Sequence, residues 1–253
     1  MSKQRIVIKI GTNLLTDDHQ RLDLNNMRHL VYQIADECLN DSNKEFIIVS
    51  SGAITSGAKH INIDTNSLSE KQAAASIGQI LLFQRYYEFF QLKGICVGQL
   101  LVTKDNFEDS VKKQNITQTI GTLLEHKAIP IINENDSVST DEIQFGDNDQ
   151  LSAMLAVNVN ADQLILLTNT DGVLDKEHKT IPHLSRITDT ELDLVDTSGA
   201  SPYSKGGMRS KLLAAQMATE ANINVVIANG RTERVVHKVL NDEAIGTRIK
   251  PAH

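Results

Sequence analysis

Residues 130–155 read PIINENDSVSTDEIQFGDNDQLSAML. The segment grows out of an apolar run, Ile129 to Ile132, patterned as a buried strand. It passes through a loop crowded with amides and carboxylates and reaches Asn148 and Asp149, where a helical pattern begins. Asn133, Glu134, Asn135, Asp136, Asp141, Glu142, Asp147, Asn148 and Asp149 share this short span. So many acidic groups repel one another unless ammonium groups or magnesium sit among them. A solvated acidic loop would have the same composition. The strand before it and the helix after it instead fix it at the carboxyl end of a sheet.

The flanking sequence repeats this strand-to-helix alternation. Arg5 to Ile10 reads as a buried strand that stops at Gly11-Thr12-Asn13. Lys9 lies inside that run, either snorkelling to the rim or aimed at a phosphate held by the amides of the turn. Met27, Leu30, Val31, Ile34 and Cys38 recur at helical spacing, and EFIIVS at 45–50 is a second strand leading into Ser51 and Gly52. The longest helical pattern spans Ser69 to Gln91, with Ile77, Ile80, Phe83, Tyr87 and Phe90 predicted as its apolar stripe, facing the core or another subunit. Strands at 94–103, 162–168, 224–229 and 245–249 alternate with helices at 109–125, after Arg209, and at 233–241, while 173–205 is irregular and polar. This order predicts a mostly parallel sheet with helices on both faces. Ligands of such sheets collect at the carboxyl ends of the strands. The sequence puts Lys9, Gly11, Ser51, Gly52, Asn133, Asp136, Thr168 and Asn169 there.

Composition narrows the function. A chain of 253 residues with 40% apolar content can bury a sizeable core. Its net charge of -7 argues against broad nucleic-acid binding, and 4% aromatic content with no Trp argues against a stacking platform. No apolar run approaches membrane-spanning length and no signal-peptide core follows Met1, so the expectation is a soluble cytoplasmic protein with no membrane partner. Cys38 and Cys96 lack CxxC spacing and are expected to be buried free thiols. The His residues show no HxxxH or HExxH spacing, so no zinc pattern is present.

Two glycine segments are candidates for phosphate binding. Gly52 to His60, GAITSGAKH, nearly spells a P-loop, but Ala58 separates the second glycine from Lys59 and His60 stands where a hydroxyl is needed. One added residue turns the lysine about 100° around a helix, so this reading fails. Lys205-Gly206-Gly207-Met208-Arg209-Ser210-Lys211 instead begins a helix with open amides and basic residues in the first turn, which suits an anion. With Lys9 as a second cation, the set fits phosphoryl transfer, where a protein mainly positions groups and neutralises charge.

The chain resembles the amino acid kinase family along essentially its whole length. The resemblance is carried by IVIKIGTNLLT at 6–16, VSSGAITSG at 49–57, PIINENDSV at 130–138, FGDNDQLSA at 145–153, LLTNTDGV at 166–173 and GGMRSK at 206–211. The INEND and GDND pair is similar to the members that phosphorylate L-glutamate. What the resemblance implies is a three-layer αβα sandwich, one kinase domain over 1–253, in which about 1–160 holds L-glutamate and about 161–253 holds ATP with Mg2+. It implies Ser51, Gly52, Asn133, Asp136, Asp147 and Asn148 around the amino acid. Lys9 and Lys211 would straddle the transferred phosphoryl group, with Asp149 holding both lysines. Gly11, Thr168, Asn169 and the 205–211 segment would contact the nucleotide.

The resemblance further implies feedback by L-proline, hand-over of the acyl phosphate to glutamyl phosphate reductase, and a homo-oligomer, dimer or tetramer. Many relatives carry Asp where Asn169 stands and Thr where Lys205 stands. The sequence ends at IGTRIKPAH without the RNA-binding-like C-terminal PUA domain that many bacterial relatives carry. Two alternatives remain open at this point, the same fold acting on another small carboxylate or carbamate, and a catalytically silent amino-acid sensor.

Overall fold

A computed structural model describes residues 3–139, 148–185, 187, 192 and 207–251. The N-terminal half runs β1 (Gln4–Ile10), α1 (Thr12–Leu15), α2 (Leu24–Asn40), β2 (Lys44–Val49), α3 (Ala53–Ile61), α4 (Leu68–Gln91), β3 (Val97–Val102), α5 (Asp105–Glu108), α6 (Ser110–Glu125) and β4 (Ile129–Glu134). The rest comprises α7 (Asn148–Asn158), β5 (Gln163–Thr168), β6 (His183–Leu184), α8 (Met208–Glu220), β7 (Asn224–Asn229), α9 (Val235–Leu240) and β8 (Thr247–Ile249). All the strands join one sheet in the order β3-β4-β2-β1-β5-β7-β8-β6. Pairing is parallel throughout except between β7 and β8. The mostly parallel α/β sheet expected from the alternation is therefore present.

Side-chain alternation along the strands divides the core in two. Ile6, Ile8 and Ile10 of β1, Phe46 and Ile48 of β2, and Ile129 and Ile131 of β4 pack beneath α2, α4 and α9. Val7, Ile47, Val49 and Ile132 face the other way, against α6, α7 and α8. Helices thus cover both faces, as a three-layer sandwich requires. β1 lies mid-sheet, with β2 on one side and β5 on the other, at the point where the strand order reverses. Crevices for ligands open outside the carboxyl ends at such a point.

Helix starts follow local chemistry. The Asp23 carboxylate accepts from the Asn26 amide at 3.0 Å to begin α2, and Asp109 accepts from the Val111 and Lys112 amides at 2.9 and 3.0 Å to begin α6. Ser67 and Glu70 form a reciprocal capping box on α4.

The structure narrows one expectation, the apolar stripe, and corrects another, the buried thiols. On α4 the inward face is Ala75, Gly78, Gln79, Leu82, Tyr86 and Phe90. Of the expected stripe only Phe90 is fully inside, whereas Ile80 is 68% and Tyr87 49% exposed. The helix is rolled because small residues let it approach α3. A Cβ on Gly57 would fall 1.8 Å from the Ala74 carbonyl oxygen, and one on Gly78 would fall 1.8 Å from that of Ala53. Gly57 therefore packs helix on helix, and Lys59 and His60 sit exposed in the last turn of α3, so the P-loop lookalike has a packing origin. The thiols are free, but only Cys38 is half-buried, its pKa raised by burial, and Cys96 is exposed because it precedes the edge strand β3.

Gly57→Ala or Gly78→Ala is expected to cost at least about 2 kcal/mol, as overpacking against backbone does. Gly121→Ala in α6, where a Cβ meets nothing within 4 Å, should instead stabilise by roughly 0.5–1 kcal/mol through helix propensity. Urea unfolding of the three variants checks the opposite signs.

Candidate active site

The period of two on β1 turns Lys9 to the same face as Val7, the face covered by α7 and α8. Asp149 in the first turn of α7 and Lys211 in the first turn of α8 are both inside. The Lys9 ammonium lies 2.7 Å from Asp149 Oδ1, and that of Lys211 lies 3.0 Å from Asp149 Oδ2. Exposure is 4% for Lys9, 0% for Asp149 and 6% for Lys211. Burial alone would raise the Asp149 pKa, but the two ammonium charges outweigh it and hold the carboxyl below its ordinary range. Two lysine side chains from different elements thus converge on one buried carboxylate at the carboxyl end of β1.

A second constellation lies next to it. Asn133, at the end of β4, faces the α4 side in phase with Ile131. Its Oδ1 accepts from the Glu134 amide at 2.9 Å and from Asn148 Nδ2 at 2.8 Å. Asn148 Nδ2 also reaches the Ser50 carbonyl at 2.5 Å and Ser51 Oγ at 3.1 Å. Asn148 belongs to α7 and Asn133 faces α4, so this contact bridges the two layers over the edge of the sheet. Gly52, with φ 92, turns the chain from β2 into α3 in a conformation that favours glycine. Asp136 is half-buried in the turn after β4. The structure thus gathers Ser51, Gly52, Asn133 and Asn148, while Asp147 lies outside the described residues.

The nucleotide-side residues fall on neighbouring elements. Thr168 is buried at the end of β5, and its carbonyl accepts from the Gly230 amide at 2.8 Å; Asn169 beside it is exposed. Gly11 is packed between the Leu167 carbonyl and Lys9. Gly207 begins α8 with no side-chain cap, and nothing would meet a Cβ on it within 4 Å. Met208 and Ser210 are half-buried and Arg209 is exposed. Ser210 Oγ is a buried polar atom without a hydrogen-bond partner among the described residues. Uncapped amides, that hydroxyl and the Lys211 ammonium together fit phosphate oxygens. A cavity of about 380 Å³ opens beyond Asn229 and Asp171, which hydrogen-bond at 2.9 Å. Lys205 and Gly206 lie outside the described residues.

Sequence reasoning missed the groups behind the amide network. Gln79 Oε1 accepts from Asn133 Nδ2 at 2.7 Å, Tyr86 hydroxyl meets Ser50 Oγ at 3.0 Å, and Gln72 Nε2 donates to the Ser139 carbonyl at 3.1 Å. Burial pushes the Tyr86 phenol well above its ordinary pKa, so it stays protonated. The available signal was two glutamines seven residues apart within the longest apolar helix.

The fold is thus an α/β sheet with a buried lysine pair at its switch point. The chain belongs to the amino acid kinase family, whose sequence pattern it matches over residues 4–229. It is 40% identical over 257 residues to a glutamate 5-kinase of Marinomonas sp. (strain MWYL1), covering 99% of this chain and 68% of that protein. A glutamate 5-kinase of Thermoanaerobacter sp. (strain X514) is 40% identical over 255 residues, with 98% and 68% covered. The fold is similar to UMP kinase from Ureaplasma parvum, at TM-score 0.61 and 17% identity over 98% of this chain and all of that one. It is also similar to N-acetylglutamate synthase from Neisseria gonorrhoeae, at TM-score 0.62 and 17% identity over 99% of this chain and 62% of that one. Among the described residues no helix is long and apolar enough to cross a membrane.

The Asp149 shift has a stability consequence. A carboxyl whose folded pKa is depressed below its ordinary 3.8 contributes stability that is present above that value and lost as pH falls through the folded one. Asp149→Asn should cost about 3–5 kcal/mol at pH 7, since it leaves buried ammonium groups without their counter-charge. It should also flatten the stability profile below pH 4, measured by urea unfolding from pH 3 to 7.

Proposed function

We propose that this chain transfers the γ-phosphoryl group of ATP to the γ-carboxylate of L-glutamate, giving L-glutamyl 5-phosphate and ADP, the first step toward proline. The observation that carries this reading is the buried Asp149 carboxylate held between Lys9 and Lys211. The full-length match to glutamate 5-kinases supports glutamate as the acceptor. In this reading the part of the chain before about residue 160 holds the amino acid and the part after it holds ATP.

A γ-carboxylate with a free pKa of about 4.3 is already ionised at neutral pH, so the reaction needs no general base. A carboxylate oxygen attacks the γ-phosphorus, and the bond from that phosphorus to the leaving ADP oxygen breaks. The obstacle is repulsion between an anionic nucleophile and an anionic phosphate. Lys9 and Lys211 would meet the charge on the transferred group, one from each side. Asp149 would fix both ammonium groups, while Ser51, Asn133, Asp136, Asp147 and Asn148 hold the amino acid. The α8 start would cradle phosphates. Mg2+ brought in with ATP would neutralise further phosphate charge, as it does in most kinases; among the described residues no three metal-ligating side chains cluster. A pure sensor has no need of two ammonium groups at one buried point, which favours the enzyme.

Hydroxylamine trapping of the acyl phosphate, with ATP, Mg2+ and each acceptor in turn, tests the reading. Signal is expected with L-glutamate; signal only with aspartate or N-acetylglutamate overturns the substrate, and binding without turnover favours the sensor. Lys211→Ala should lower kcat by roughly 10²–10³ with little change in glutamate KM, whereas Asp136→Ala should act mainly on that KM. We further propose a homo-oligomer formed through Ile80 and Tyr87 on the outer face of α4; a monomer by light scattering at micromolar concentration overturns it.

A further inference from the structure

Three polar side chains break the apolar inner face of α4, and each reaches a different segment of the proposed amino-acid pocket. Gln72 holds the Ser139 carbonyl after β4, Gln79 holds the Asn133 amide at the end of β4, and Tyr86 holds the Ser50 hydroxyl at the end of β2. Their seven-residue spacing keeps them nearly in line, about 10.5 Å apart along the axis. We propose that Gln79 is a positioning residue for the amino-acid pocket, acting through Asn133, with Tyr86 in a supporting role at Ser50. This rests on the reading of Asn133 and Asn148 as substrate contacts.

The polarity of the network carries the argument. A backbone N–H can only donate and a backbone carbonyl can only accept. The Glu134 amide therefore requires the oxygen of Asn133 on its side, and the Ser50 carbonyl requires the nitrogen of Asn148 on its side. With both ends fixed, Asn133 must turn its Nδ2 toward α4, and Gln79 must answer with its oxygen. One N–H of Asn133 is consumed there. Its second N–H has no partner among the described residues and is the donor left for a substrate oxygen, although Asn133 itself is only 1% exposed. Without the Gln79 oxygen, the buried Nδ2 loses its acceptor, and Asn133 is held through its oxygen alone, which places the second N–H less tightly. Gln79 touches no part of the phosphoryl-transfer triad, so its effect falls on the amino acid and not on the nucleotide.

The test is steady-state kinetics of Gln79→Met, Asn133→Ala and the double variant, with thermal unfolding as a folding check. Gln79→Met has similar volume and no acceptor. It should raise glutamate KM about tenfold, as loss of one buried hydrogen bond does, with ATP KM and kcat within about twofold of the parent. The double variant should show a glutamate KM no higher than Asn133→Ala alone, because a residue acting through another adds nothing once that other is gone. Tyr86→Phe, which removes only a hydroxyl, should raise glutamate KM roughly two- to fivefold and decides the matter if Gln79→Met does not fold. Additive effects, an equal rise in ATP KM, or an unchanged glutamate KM in Gln79→Met or, should that variant not fold, in Tyr86→Phe overturns the proposal while leaving the pocket intact. An unchanged glutamate KM in Asn133→Ala overturns the pocket reading, and the proposal with it.

Discussion

The structure depends on a carboxylate that cannot stand alone. Asp149 is sealed from water, and an isolated charge there would be prohibitively costly. It is tolerable only because ammonium groups from the first strand and from a helix some sixty residues further on close on its two oxygens. That requirement ties β1, α7 and α8 to one point, which is also where the strand order of the sheet reverses. The charged centre is therefore complete only where β1, α7 and α8 have come together. The convergence of two lysines on that one carboxylate is what gives the triad its proposed task.

The period of two along the strands does the rest of the sorting. On β1 it sends Lys9 toward α7 and α8, while on β2 and β4 it sends Ser50 and Asn133 toward α4. The two proposed half-sites thus approach the edge of the sheet from opposite layers. Asn148 spans the gap, since it starts the same helix whose next residue is Asp149. One helical step thus joins the amide network to the charged centre. An acceptor held by the first is brought beside a phosphoryl group held by the second, the proximity a transfer reaction needs.

Much of this was legible in the sequence, and the failures have physical causes. Strands declared themselves because buried parallel strands are continuous apolar runs, as FIIV and LILL are here. Lys9 and Lys211 stood out as charges in apolar or glycine-flanked settings, and the structure joins them through Asp149. Gln79 and Tyr86 were invisible because a polar residue on a long helix reads as surface until the helix is rolled into place. Ile80 and Tyr87 are bulkier than Ala75 and Gly78 yet point outward, so bulk alone does not mark the inward face of this helix. The actual mark was smallness, set by the neighbouring helix. Cys96 was misread for a related reason, since an edge strand leaves its approach open to water.

The glycines that cross at Gly57 and Gly78 leave no room for a side chain between the two backbones. Helices in such contact cannot slide or tilt without separating altogether, so α3 and α4 behave as one rigid piece with the turn at Gly52 fixed to it. The wall carrying Gln79 is therefore the stationary jaw of the proposed pocket. Where Gln72 holds the Ser139 carbonyl, the described residues that follow β4 are tied to the same rigid piece.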